Sequence, residues 1–281
     1  MTPHDGDDDL LAPLGDWPVP AVSAAVLRRS DDGVRVLARH GDADRVQELA
    51  SVTKLLVAYA ALVAVEEEAI ALDEPAGPPG STVRHLLAHA SGVGFDDRTP
   101  SAEPGEKRIY SSAGFELLAE HVTARTGIDF PEYLTDAVLA PLGMTATELV
   151  GSAGHGARSS AADMTSFAAE LLVPTLLAPE TVRDATGVQF PGLAGILPGY
   201  GSQRPNDWGL GFEIRDGKSP HWTGTGNSPR TVGHFGQAGT FCWVDPDADL
   251  AVVVLADRAF GDWAKPVWTE LSDRVLRRLA D

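Results

Sequence analysis

Strand-forming runs at both ends of a helical middle predict an α+β fold: an antiparallel sheet built from both chain ends, with flanking helices and an inserted all-helical lobe. Near the first end, Val22 to Leu27 and Val34 to Arg39 are β-favouring and enclose Asp31-Asp32-Gly33, and an Asp-Gly between two such runs signals a hairpin. Near the other, Thr231 to Gly236, Thr240 to Asp245 and Leu250 to Asp257 repeat the pattern, with Asp245-Pro246-Asp247 supplying a turn. The chain between them has helical periodicity, so the outer strands have chiefly one another to pair with. We therefore expect an acidic segment at 1–20, a sheet lobe at 21–50 and 205–281, and a helical lobe at 51–204. A cleft between lobes is a usual place for a site.

Leu55 to Val65 is apolar throughout and is bounded by Lys54 and by Glu66-Glu67-Glu68. It falls far short of the roughly 20 residues that span a bilayer, and reads as a helix buried on nearly all sides. Phe115, Leu118 and Val122 share a helix face ahead of Gly127. Met164, Phe167 and Leu171 share another, with Ser160 and Asp163 approximating a capping box before it. Pro191 to Asn206, rich in Gly and Pro, reads as an irregular loop near the cleft, and Trp208 to Arg215 as a further strand. Val267, Leu271, Val275 and Leu279 space a closing helix with one buried face.

At 281 residues and 43% apolar composition the chain buries a substantial core, as one large domain or two lobes. Its formal charge of −18 repels polyanions, so neither nucleic acid nor an anionic membrane is an expected partner. Cys242 stands alone in an apolar segment, which excludes an intrachain disulfide and suits a core position. Met1 to Pro20 carries no basic and apolar run of the secretory kind, so the expected location is cytoplasmic. Composition leaves the oligomeric state open.

The most telling motif is Ser51-Val52-Thr53-Lys54, where the chain enters the apolar helix. Side chains three apart on a helix lie about 5–6 Å from one another at Cβ, so an unprotonated Lys54 would accept the proton of Ser51 and make it a nucleophile without a histidine. A helix N-terminus adds free N–H groups and partial positive charge, and an apolar surround lowers the lysine pKa. Taken alone, the tetrapeptide also suits a helix N-cap followed by a surface lysine. Acyl transfer further requires a leaving-group acid and an oxyanion hole. Tyr110-Ser111-Ser112, in a turn-like region ahead of a helix starting near Gly114, would place a phenol in the cleft. Gly233-His234-Phe235-Gly236-Gln237-Ala238-Gly239 puts glycines where a strand should run, which marks close approach of a ligand or another backbone. An acyl substrate along it would meet the N–H groups of Gln237 and Ser51.

Together these segments resemble the serine β-lactamase and penicillin-binding-protein superfamily, and within it the class C-like branch that includes family VIII carboxylesterases. The order Ser-x-x-Lys, a Tyr motif, then a His-x-Gly variant of Lys-Thr-Gly is similar to that family. So are Thr82 to Gly92, Ala113 to Thr145, Trp208-Gly-Leu-Gly-Phe212 and Trp243-Val-Asp-Pro246. The resemblance implies Ser51 as nucleophile, Lys54 as base or co-base, and Tyr110 as the group that shares the proton and protonates the leaving group. It also implies Ser51 and Gln237 as oxyanion donors, and His234, Gly236 and Ser112 beside the substrate, with no metal and no cofactor. The partner it implies is a small-molecule acyl substrate.

The departures bear on that substrate. Ser112 replaces the usual Asn of the Tyr motif, and His234-Phe235 replaces Lys-Thr, removing a fixed cation where a carboxylate would be anchored. These changes favour a serine hydrolase of small esters, with a β-lactamase or D-alanyl-D-alanine peptidase as one alternative and a non-catalytic ligand-binding homologue as another. Arg204 or Arg230 is the candidate replacement anchor. His85 and His89 have metal-ligand spacing but lack the Glu of a His-Glu-x-x-His site, and read as packing residues.

Overall fold

The computed structural model describes residues 10–280; the acidic run Asp5 to Asp9 lies outside the described residues. The chain opens with the hairpin β1 (Val22–Ser30) and β2 (Gly33–His40) and continues through β3 (Gln47–Glu48) to a single 3-10 turn, Ala50–Val52. The middle carries α1 (Thr53–Glu66), α2 (Val83–Leu87), α3 (Ser112–Thr126), α4 (Phe130–Leu134), β4 (Glu148–Leu149), β5 (Ala157–Ser159), α5 (Ala161–Leu172) and α6 (Pro179–Thr186). Then come β6 (Gly195–Leu197), β7 (Gly201–Gln203), β8 (Glu213–Ile214), β9 (Val232–Gly236), β10 (Thr240–Asp245), β11 (Leu250–Ala256) and α7 (Ala264–Arg278).

The two ends of the chain meet in a six-stranded sheet of order β2-β1-β11-β10-β9-β8. β1 and β11 pair antiparallel in its middle, from Val22 opposite Ala256 to Arg28 opposite Leu250. The α+β architecture expected from the sequence is the one observed, but the inserted segment is not all-helical: its β4 and β5 join β3 in a small antiparallel sheet of order β3-β5-β4, strands too short to leave an alternating pattern. Because side chains alternate across a strand, the sheet has two buried faces. Ala25, Leu27, Cys242, Val253 and Leu255 face the helices of the middle segment. Val26, Trp243, Val252 and Val254 face α7 and the stretch from Leu10 to Trp17. Leu10, Leu11, Leu14 and Trp17 are buried there, so the described part of the 1–20 segment packs as core beneath the sheet.

Local signals act where the sequence places them. Gly33, at φ 117°, turns the first hairpin, and Gly127, at φ 75°, ends α3 in the left-handed conformation. Ser160 Oγ accepts the Asp163 N–H at 3.1 Å, while Asp163 turns its own carboxylate to Ala146 N and Thr147 Oγ1 rather than completing a box. Two expectations are corrected. Pro191 to Asn206 contains the hairpin β6–β7, and Trp208 to Arg215 is strand only at Glu213–Ile214. Short apolar runs broken by Gly209 and Gly211 do not distinguish a strand from a loop packed in the core. Among the described residues no helix is long and apolar enough to cross a membrane.

Candidate active site

Ser51 sits in the 3-10 turn immediately before α1, one step earlier than a simple helix position. The turn is held from two sides. Thr240 Oγ1 of β10 donates to Leu49 O at 2.8 Å. Leu49 N donates to Ala157 O of β5 at 2.9 Å, and Ala157 N returns a bond to Thr53 Oγ1 at 3.0 Å. Gly236 permits the first clasp, because a Cβ there would overlap Leu49 O and Thr240 Oγ1. The glycine in β9 therefore marks a close backbone approach, that of the nucleophile turn itself.

Lys54, in the first turn of α1, is fully buried. Its Nζ lies 2.8 Å from Tyr110 Oη, 3.2 Å from Ser112 Oγ and 2.6 Å from the Gly154 carbonyl oxygen. No carboxylate is among these partners. Burial lowers its pKa to about 7, against the more distant pull of Asp96 and Glu116. Burial pushes the Tyr110 phenol well above its ordinary range, although the neighbouring Ser51 side chain pulls it down. Lys54 and Tyr110 are thus hydrogen-bonded, and Tyr110 and Ser51 stand in the wall of one cavity. Ser112, although shorter than an Asn, still reaches the lysine.

Tyr110 is fixed by a residue that sequence reasoning set aside. His89 O accepts the Ile109 N–H at 2.9 Å, and His89 Nδ1 accepts the Ser111 N–H at 3.1 Å, so one residue brackets Tyr110 from both sides. Its ring packs 4.7 Å from that of Tyr110, and burial holds its pKa well below the ordinary value, keeping the ring neutral. The backbone of His89 is left-handed at φ 55°, a conformation that costs energy and here serves the bracket. Arg108 supports the same segment. It is buried, and its guanidinium donates to the carbonyls of Ala88, Gln189, Phe190 and Asn206. His85, by contrast, bonds Thr82 Oγ1 and stacks on Phe190.

The side chains of Ser51, Tyr110, His234 and Gln237 line one cavity of about 40 Å³, closed by Trp208, Trp222, Phe235 and Leu197. Trp243 instead lies in the core beyond the sheet, bonded to Ser272 Oγ. His234 is buried; its Nδ1 meets Phe235 O at 2.6 Å, and burial lowers its pKa to about 3, so the imidazole is uncharged at neutral pH. Glu213 also reaches the wall, with its carboxylate taken by Lys218, His221 and Trp222. No Lys or Arg lines the cavity. Arg230 pairs with Asp247 at 2.7 Å on the exterior, and Arg204 is exposed elsewhere, so neither replaces the missing anchor. The sequence reading also missed Gly154 and Phe95. A backbone carbonyl carries no side-chain signal, and Phe95 lies in a loop with no pattern of its own.

This sheet, inserted helical segment and Ser-x-x-Lys turn beside a tyrosine are those of the serine β-lactamase and penicillin-binding-protein superfamily. The profile of the Beta-lactamase family matches residues 16–275, and the chain belongs to that family. A β-lactamase from Mycobacterium bovis is 59% identical over 96% of this chain and 99% of its own, with a TM-score of 0.94. A D-amino acid amidase from Ochrobactrum anthropi (19% identity, 98% of both chains, TM-score 0.77) shares the fold. So does a variant of simvastatin synthase from Aspergillus terreus (18% identity, 96% of this chain and 93% of that one, TM-score 0.75). No curated protein sequence matches significantly.

Proposed function

We propose that the chain is a serine hydrolase that forms an acyl-enzyme on Ser51 and acts chiefly on small esters. The observation that carries this reading is Tyr110, which shares a cavity wall with Ser51 and is hydrogen-bonded to a buried Lys54 whose pKa lies near 7. In its neutral form Lys54 takes the Tyr110 proton as Tyr110 takes that of Ser51, and Ser51 Oγ bonds to the substrate carbonyl carbon. The oxyanion faces the N–H groups of Ser51 and Gln237, where loss of one donor costs about 100- to 1,000-fold in rate. As the tetrahedral adduct collapses, the proton returns from Lys54 through Tyr110 to the leaving oxygen. Water then attacks the acyl-enzyme by the same relay, releasing the acid and restoring the Ser51 hydroxyl.

The preference for esters rests on the cavity. With His234 uncharged and no Lys or Arg in the cavity wall, a substrate carboxylate inside the cavity meets no fixed cation there. β-Lactam hydrolysis is the second reading, favoured by the Mycobacterium bovis relative, which is called a β-lactamase. A fluorophosphonate probe is expected to label Ser51, and Ser51→Ala to abolish both labelling and turnover of p-nitrophenyl acetate. Nitrocefin turnover above ester turnover moves the assignment to the second reading, and an intact, unlabelled wild-type protein moves it to a non-catalytic binding role.

A further inference from the structure

Among the described residues Glu213 is the only charged one in the wall of the Ser51 cavity, and it is buried. It opens the short strand β8 at the edge of the large sheet, where its backbone is bridged to that of Trp208. Its carboxylate accepts from three donors: Trp222 Nε1 at 2.7 Å, His221 Nε2 at 2.8 Å, and Lys218 Nζ. Thr223 N donates to His221 Nδ1 at 3.2 Å, which leaves the Nε2 proton for Glu213. Lys218 Nζ also donates to Asp207 O at 2.7 Å and to Ile214 O at 2.6 Å, and lies 5.9 Å from the centre of the Trp208 ring. Trp208 and Trp222, the two tryptophans of the cavity wall, are therefore fastened to one residue, the first through its backbone and Lys218, the second by its indole N–H.

Lys218, His221 and Trp222 all lie in residues 215–231, which run from β8 to β9 without a helix or strand. The far half of this stretch is tied to α7 and β10 by Asp273 and Asp245. The near half, which walls the cavity, converges on Glu213. A buried ion pair adds little stability over apolar side chains of similar volume, because both charges lose their water. Its use here is geometric, since a fully satisfied buried network specifies one arrangement of the groups that form it. We propose that Glu213 is a positioning residue of the hydrolase, holding the Trp222 and Trp208 rings as a fixed wall against which the substrate is seated beside Ser51. The inference rests on the acyl-enzyme reading and adds to it a residue that acts on substrate placement. The reacting groups are held by other contacts: Lys54 by Tyr110, Ser112 and Gly154 O, and the Ser51 turn by Thr240. Loosening the wall therefore acts on KM and leaves the pH profile of the reaction in place.

The test compares two double variants that both remove the ion pair. Glu213→Gln with Lys218→Met keeps an acceptor oxygen for Trp222 and His221, whereas Glu213→Leu with Lys218→Met keeps none. In p-nitrophenyl acetate hydrolysis the second is expected to lose about 10- to 100-fold in kcat/KM, chiefly through a higher KM and with the wild-type apparent pKa, and the first to recover most of that loss. A second readout needs no turnover. The indole N–H resonance that disappears in Trp222→Phe is expected to be protected from deuterium exchange in the wild type and to exchange about tenfold faster or more once the acceptor is gone. An unchanged KM in the variant without an acceptor, an equal rise of KM in both variants, or a wild-type Trp222 indole proton that exchanges within the dead time overturns the positioning role while the hydrolase reading stands. The wild-type exchange measurement decides the matter even where the variant without an acceptor fails to fold. A wild-type protein that neither hydrolyses the ester nor takes a fluorophosphonate at Ser51 overturns both readings.

Discussion

Replacing Lys54 by Met separates the energetic cost of the relay from its catalytic use. Lys54 is fully buried, without a carboxylate among its hydrogen-bond partners, and burial lowers its pKa from 10.5 to about 7. At about 1.36 kcal/mol per pH unit, that gap corresponds to a cost on the order of 5 kcal/mol for holding the charged lysine in the fold. The sign is opposite to that of a paired lysine. Below pH 7 the amine is charged in both states and the full cost is present. Between pH 7 and 10.5 the unfolded chain still binds the proton while the native one does not, so stability rises with pH; above 10.5 the term vanishes. Lys54→Met lacks this term and instead leaves the Gly154 carbonyl without its partner, a penalty of about 1–3 kcal/mol that does not depend on pH. Urea unfolding of both proteins from pH 6 to 10 is expected to show wild type gaining on the variant by roughly 4 kcal/mol, or roughly 8 °C in melting temperature. Wild-type kcat/KM is expected to climb through an apparent pKa near 7 as the amine becomes neutral. A stability difference flat across this range would falsify the claim that the lysine is held unpaired and neutral.

Tyr110→Phe removes the middle of the relay and is expected to lower kcat/KM about 100- to 10,000-fold with the melting temperature little changed, measured by ester hydrolysis and calorimetry. His89→Leu loses the Ser111 bond and strains a left-handed backbone, whereas Asn tolerates that conformation and keeps an acceptor. We expect about a 10- to 100-fold loss of kcat in His89→Leu at nearly constant KM, and recovery of most of it in His89→Asn. Gly236→Ala forces a methyl group against Leu49 O and Thr240 Oγ1 and is expected to destabilise by about 3 kcal/mol, read by urea unfolding, and to displace the Ser51 turn.

Much of this molecule was legible before folding because its signals are local. The Asp32-Gly33 hairpin, the apolar run of α1, the Gly127 terminus and the Ser160 cap each depend on residues a few positions apart. β8 and the β6–β7 hairpin were less readable, since glycine-rich apolar stretches take their form from what they pack against. Within the site, Ser51, Lys54 and Tyr110 announce themselves by residue type and order. His89 did not: its histidine-to-histidine spacing with His85 suggested a metal pair or packing, and its use as acceptor for two main-chain N–H donors appears only once Ile109 and Ser111 are beside it.

The sequence by itself determined which chemical groups were present, the strand and helix segments that carry them, and the absence of a Lys-Thr pair in the third motif. Tertiary structure decided which group stands next to which: the phenol on the amine, the Gly154 carbonyl on Lys54, and the aromatic-walled cavity that Ser51 and Tyr110 share. The physical reason is that pKa and cavity size depend on burial. Burial is a sum over residues distant along the chain, which no window of sequence contains.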